Sequence, residues 1–212
     1  MAIMPLQDSD ISWQMLRRIV HDWAGTSAEL IEVKTLEGGC INTTLALTTR
    51  TGERAVLKIS PHRVNRRYLT EAYQLNILRT IGLPAPQVYV SQVGDLDNPI
   101  SYLLMEFVEG INLSEARRAC AEEDFDHLQM HLSELLLSLH GNTHESYTRL
   151  TEGDREEFES WSRFYGSVYE NQFEECFKNA QIPVKMRKVI GRVHERLESL
   201  LAHDDCPRLL HW

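Results

Sequence analysis

Residues 55–59 read Ala55-Val56-Leu57-Lys58-Ile59, a short apolar run with one ammonium near its end, and the reading of this run decides the fold. Ala55, Leu57 and Ile59 recur at the spacing of a strand. Burial of the neighbours aims Lys58 along the inner face, where a charge needs a partner. Glu71 falls early in the following helical stretch, on the stripe of Leu75 and Leu78, so it is placed to turn inward and meet Lys58. On these two residues alone, an edge-strand lysine and a solvated helix glutamate account for the pattern at least as well.

Working outward, Ile31, Val33 and Thr35 alternate, as do Thr43, Leu45 and Leu47, with Gly38-Gly39 and Thr51-Gly52 as turn signals. Three antiparallel strands follow, and a helix over about 66–79 is closed by Gly82 and Pro84. Val88 and Val90, then Tyr102, Leu104 and Glu106, read as two more strands around a turn at Asp95 to Asn98. Ahead of the sheet, Asp8, Ser9 and Asp10 offer N-caps for a helix carrying Ile11, Met15, Ile19 and Trp23 and ending near Gly25.

From Leu113 onward the strand signals stop. Phe125, Leu128, Leu132, Leu135 and Leu139 form a helical stripe ending at Gly141, and Phe158, Trp161, Tyr165, Tyr169 and Phe173 continue at helical spacing. A final helix after Pro183 carries Val189, Val193, Leu197, Leu200 and Leu201, after which Arg208-Leu209-Leu210-His211-Trp212 begins like a buried strand. The expected architecture is α+β, with a leading helix over 1–26, a five-stranded antiparallel lobe with one helix over 27–108, and a helical lobe over 109–212.

Composition narrows the function. The chain has 212 residues, 42% hydrophobic and 25% charged, as in a soluble globular protein. A formal net charge of -9 without a long basic block argues against nucleic acid as a partner. Cys40, Cys120, Cys176 and Cys206 are too dispersed for a zinc site or a disulfide framework, which suits a reducing cytoplasm. No signal peptide is legible and no apolar run reaches the roughly 18 residues that span a bilayer. His140 and His144 have metal-ligand spacing, but Gly141 and Asn142 between them read as a helix stop.

The turn Glu37-Gly38-Gly39-Cys40-Ile41-Asn42 could let backbone N–H groups approach an anion, although paired glycines in a hairpin more often serve the turn alone. Neither a P-loop nor a full G-x-G-x-x-G is present, which disfavours a P-loop enzyme or a Rossmann dehydrogenase.

The order of Glu37-Gly38-Gly39 with Asn42, Val56-Leu57-Lys58, Glu71-Ala72, Leu83-Pro84-Ala85-Pro86, Leu103 through Gly110, and Leu139-His140 resembles the aminoglycoside phosphotransferase and choline kinase superfamily. The resemblance covers Ile31 to His140 and resumes at Leu209. It implies a protein-kinase-like two-lobe fold that uses ATP and Mg²⁺ to phosphorylate a hydroxyl of a small molecule. Gly38, Gly39 and Asn42 would then form the loop over the phosphates, Lys58 would hold the α- and β-phosphates, and Glu71 would hold Lys58. Met105, Glu106 and Val108 would belong to the interlobe hinge, whose backbone reads the adenine edge. Met105 reads nearly as well as plain strand core.

The family's catalytic segment runs roughly His-Gly-Asp and then Asn, with a later Asp for Mg²⁺. Leu210-His211-Trp212 resembles its opening, with Trp212 at the usual Gly position, so His211 would open the catalytic loop and the catalytic Asp would follow Trp212. The base and both metal ligands would therefore lie beyond this sequence. The rival expectation is a non-catalytic module for ATP or for a partner. Between Asp154 and Phe177, glutamates mixed with aromatics suit a cationic acceptor, while an amphipathic helix with its glutamates in water explains the same pattern. On the first expectation, polypeptide 1–212 alone shows negligible turnover with any acceptor, which an ATP-consumption assay reads directly.

Overall fold

A computed structural model of the chain describes residues 11–36, 43–60, 66–95, 100–153, 155–179, 182–202 and 206–210. Helix α1 spans Trp13–Ala24 and begins at Ser12, whose hydroxyl accepts the Met15 N–H at 3.2 Å. The cap is thus Ser12 and not the earlier Asp8 to Asp10 cluster, because a cap must lie within three residues of the N–H it satisfies. Leu16, Ile19 and Val20 form the buried face.

The sheet contains β1 (Leu30–Thr35), β2 (Thr43–Thr49), β3 (Arg54–Ser60), β4 (Val88–Gln92) and β5 (Ser101–Glu106), in the spatial order β1-β2-β3-β5-β4. All neighbours are antiparallel, and β3 lies at the centre with Leu57 opposite Leu45 on one side and Leu104 on the other. A central strand buries both faces, and period-2 alternation sorts its side chains between them. Ala55, Leu57 and Ile59 join Leu45, Leu47, Tyr102 and Leu104 against α1. Val56 joins Leu103 and Met105 on the opposite face, packed by Tyr68 and Ala72 of α2 (Arg67–Thr80). Gly82, at φ +81°, closes α2 in the left-handed region that favours glycine, and its N–H meets the Arg79 carbonyl at 3.0 Å.

Beyond the sheet lies α3 (Leu113–Ala119), which carries a capping box: Asn112 Oδ1 accepts the Glu115 N–H, and Glu115 accepts the Asn112 N–H. The remaining elements are α4 (Glu122–His140), the short strands β6 (Tyr147–Thr148) and β7 (Glu157–Phe158), α5 (Trp161–Asn179), α6 (Val184–Glu195) and α7 (Leu197–Leu200). Three expectations need correction here. Strand pairing does recur after Leu113, in β6 and β7, which at two residues each are too short to show alternation. Phe158 belongs to β7 and not to the helical run. The last helix is interrupted at Arg196, whose φ of -110° and ψ of 7° leave the helical region.

The chain divides into two compact units, Met1–Cys120 with Leu150–Glu152, and Ala121–Arg149 with Gly153–Trp212. In the first, the core is the sheet with a helix on each face. In the second, α4 keeps only Leu139 buried, and Leu128, Leu132 and Leu135 of the expected stripe stay about 40% exposed. Leu209 is half-buried and Leu210 exposed, so the expected buried strand is instead a single antiparallel bridge between Thr143 and Arg208. Among the described residues no helix is long and apolar enough to cross a membrane.

Candidate nucleotide site

Lys58 shares its sheet face with Val56, because two residues of strand bring a side chain back to the same side. On that face the Lys58 ammonium pairs with the Glu71 carboxylate, donated by the second turn of α2. Both side chains remain about one-third exposed, so water screens the pair and it acts mainly to set direction. Tyr68, one turn before Glu71, is buried and places its hydroxyl 3.1 Å from Ser60 Oγ, which ties the first turn of α2 to the end of β3. Burial pushes the Tyr68 phenol above its ordinary range, the Ser60 hydrogen bond opposes this, and the nearby Glu71 charge adds to the rise.

The paired cation adjoins an apolar surface. Val56 and Met105 are opposite one another in the β3–β5 register, both nearly buried, with Leu36, Val88 and Phe107 packed around them. Val56 and Leu36 were not singled out as site residues in the sequence. Their signal was the alternation itself, which puts Val56 on the face of Lys58.

At the end of β5 the chain is pinned at several points. The Glu106 N–H is donated to Gln87 O at 2.8 Å, and its carboxylate accepts the Gln87 N–H at 2.9 Å with Arg79 3.8 Å away. Next, the Arg54 guanidinium lies 3.6 Å from the centre of the Phe107 ring and pairs with Glu109. Between these anchors Val108 is exposed, and its N–H has no acceptor among the described residues. The Glu106 amide is therefore committed to strand pairing, whereas the Val108 amide bonds to none of the described residues.

Gly38, Gly39 and Asn42 lie outside the described residues, as do His211 and Trp212. The segment leading to His211 is described, and it is held firmly within the second unit. His144 N–H donates to Pro207 O at 3.0 Å, Leu209 N–H to Asn142 O at 2.9 Å, and Arg208 to the His140 carbonyl at 3.0 Å. Asn142 in turn donates to the Ser138 and Leu139 carbonyls, closing α4. The sequence motifs at Leu139-His140 and at Leu209 thus meet at one place.

The aromatic stretch also resolves into two groups. Trp161 contacts Tyr147, Phe164 and Tyr165, with Phe158 edge-on to Phe164. Further along α5, His194 stacks on Phe173 with ring centres 4.2 Å apart and on Tyr169, while Arg187 lies over Phe177. The rings of the second group thus stack mainly on one another and on side chains of α6.

An antiparallel five-stranded sheet with a lysine on its central strand, a glutamate on the adjoining helix and a following helical unit defines the protein-kinase-like fold. The phosphotransferase enzyme family matches residues 32–211, and the chain belongs to that family. Solved structures agree on the fold. A candidate fructosamine-3-kinase from Thermobifida fusca superposes with a TM-score of 0.63 at 17% identity, covering 95% of this chain and 67% of that one. A candidate aminoglycoside phosphotransferase from Ralstonia eutropha gives 0.53 at 14% identity, covering 87% and 53%. A thermostable aminoglycoside phosphotransferase variant in a ternary complex with ADP and hygromycin B gives 0.57 at 12% identity, covering 91% and 60%. The chain thus spans between about half and two thirds of the length of these structures. No curated protein matches it.

Removing the Tyr68 hydroxyl tests how the face is held. Tyr68→Phe should cost about 1 kcal/mol near neutral pH in urea unfolding. Because the folded state raises this phenol above its usual value of 10.0, its contribution is complete below pH 10.0 and is lost as pH rises through the folded value. The wild-type chain should therefore lose stability faster than the variant above that pH.

Proposed function

We propose that this chain carries the nucleotide-binding part of an ATP-dependent phosphotransferase that moves the γ-phosphoryl group to a hydroxyl of a small molecule. The observation that supports it best is the Lys58–Glu71 pair on the same sheet face as the apolar surface of Val56 and Met105. A nucleotide asks for such a combination, a flat apolar surface for the base and a directed cation for the phosphates.

On this reading the base lies against Leu36, Val56 and Met105, and the Val108 N–H donates to its edge. Met105 and Glu106 serve as neighbours of that edge, with the Glu106 carboxylate fixing the backbone through Gln87. Lys58 reaches the α- and β-phosphates, and Glu71 keeps its ammonium from swinging into solvent. The backbone of Gly38, Gly39 and Asn42 covers the phosphates. Residues 27–108 act as the nucleotide lobe after the leading helix of 1–26, and the helical lobe is drawn from residues 109–212, of which Leu113–Ala119 and Leu150–Glu152 group by their contacts with the first unit. The His140–His144 turn holds the segment that approaches His211.

Phosphoryl transfer by related chemistry uses Mg²⁺ to neutralise developing charge. Among the described residues no group of three His, Cys, Asp or Glu side chains could hold a metal ion. For the acceptor, Glu156, Glu157 and Glu159 remain exposed beside the Trp161 aromatic group, which favours a hydroxyl compound that also carries positive charge.

Calorimetric titration with ATP tests the nucleotide reading. Lys58→Ala should weaken binding by roughly tenfold or more while leaving the circular dichroism spectrum unchanged. Absence of ATP binding by the wild-type chain, or an unchanged affinity in the variant, would sink it. The acceptor reading predicts that reversing Glu156, Glu157 and Glu159 to lysine lowers affinity for amine-bearing acceptors by several-fold, with ATP affinity unaffected.

A further inference from the structure

The helix that carries Glu71 is fastened at several separate points. α2 begins at Arg66 without a side-chain cap, and only Tyr68 and Ala72 of its 14 residues are buried. Tyr68 secures the first turn through Ser60. At the far end Leu75 packs against the core and Arg79 donates to the Ala85 carbonyl at 2.9 Å, and one further attachment lies next to Glu71 itself.

That attachment is Gln74. Its side-chain amide donates to the Leu150 carbonyl at 3.2 Å, across 76 residues of sequence. Glu71 and Gln74 are three residues apart and therefore neighbours on the helix surface. Leu150–Glu152 lies in sequence between stretches of the second unit, yet it belongs by its contacts to the first. Leu150 and Thr151 are half-buried there, as is Gln74.

We infer that Leu150–Glu152 is a strut for α2, and that Gln74 is a positioning residue which, by gripping the Leu150 carbonyl, holds the Glu71 carboxylate against Lys58. A short segment from a later part of the chain thereby sets the direction of the ammonium. The grip is specific in its chemistry: the acceptor is a backbone carbonyl, so only a donor at position 74 can hold it.

The reactivity of the Lys58 amine reports this contact without any nucleotide. Brief acylation with an N-hydroxysuccinimide ester, read by mass spectrometry, compares Lys58 with the exposed Lys34, Lys185 and Lys188 as references in the same molecule. Gln74→Leu should raise the Lys58 rate about three- to tenfold relative to the references, the size expected for losing one half-buried hydrogen bond. Gln74→Glu, which keeps the length but turns a donor into an acceptor, should raise it at least as much, and serves if the leucine variant misfolds. In a Glu71→Gln background, where the ion pair is already gone, Gln74→Leu should add almost nothing.

An unchanged Lys58 rate in folded variants overturns the inference. So does a parallel rise at all four lysines, which would mean general loosening, or an equal rise in the Glu71→Gln background. The consequence for ATP affinity rests on the nucleotide reading above. Failure of the wild-type chain to bind ATP would count against that reading alone, because the lysine chemistry needs no nucleotide.

Discussion

β3 is the constraint on which the rest of the structure depends. With β2 on one side and β5 on the other, it has no free edge, and both of its faces are covered. Its odd-numbered residues must be apolar to pack α1, and the intervening ones face α2. A lysine on such a strand survives only because its ammonium sits near the rim, one-third exposed, and because α2 brings a carboxylate to it. Replacing that pair by two apolar residues would cost the fold little. Its presence is therefore better explained by what the charge is directed towards than by stability.

The same alternation explains how far the sequence could be read. Strands β1 to β5 and helices α1 and α2 are legible because each repeats its apolar period against a layer that covers it, and α4 is legible from its period alone. Lys58 and Glu71 are legible for the same reason: both positions are fixed by the periods of their own elements. The cap at Ser12 was displaced by a richer acidic cluster just upstream, and composition there outweighs position. The capping box of Asn112 and Glu115 is a readable signal, an N-x-x-E spacing ahead of a short helix, but an element of seven residues carries too little periodicity to draw the eye. β6 and β7 are defined by pairing alone and leave no pattern.

Long-range side-chain to backbone contacts form a second class that sequence cannot reveal. Gln74 reaching Leu150 and Arg208 reaching the His140 carbonyl depend on which main-chain atoms arrive nearby, and main-chain acceptors are the same at every residue. The Glu106 carboxylate accepting the Gln87 N–H is of this kind too. In the second unit, the stripe on α4 shows which side of the helix is apolar. What packs against it is a tertiary property, and Leu128, Leu132 and Leu135 remain substantially open.

The position of Leu150–Glu152 also bears on the order in which the protein is made. All five strands of the first unit and both of the helices that sandwich them precede Cys120, so they are synthesised well before Leu150–Glu152. The Leu150 carbonyl that Gln74 grips is made only after α4 and β6, by chain that belongs, on either side, to the second unit.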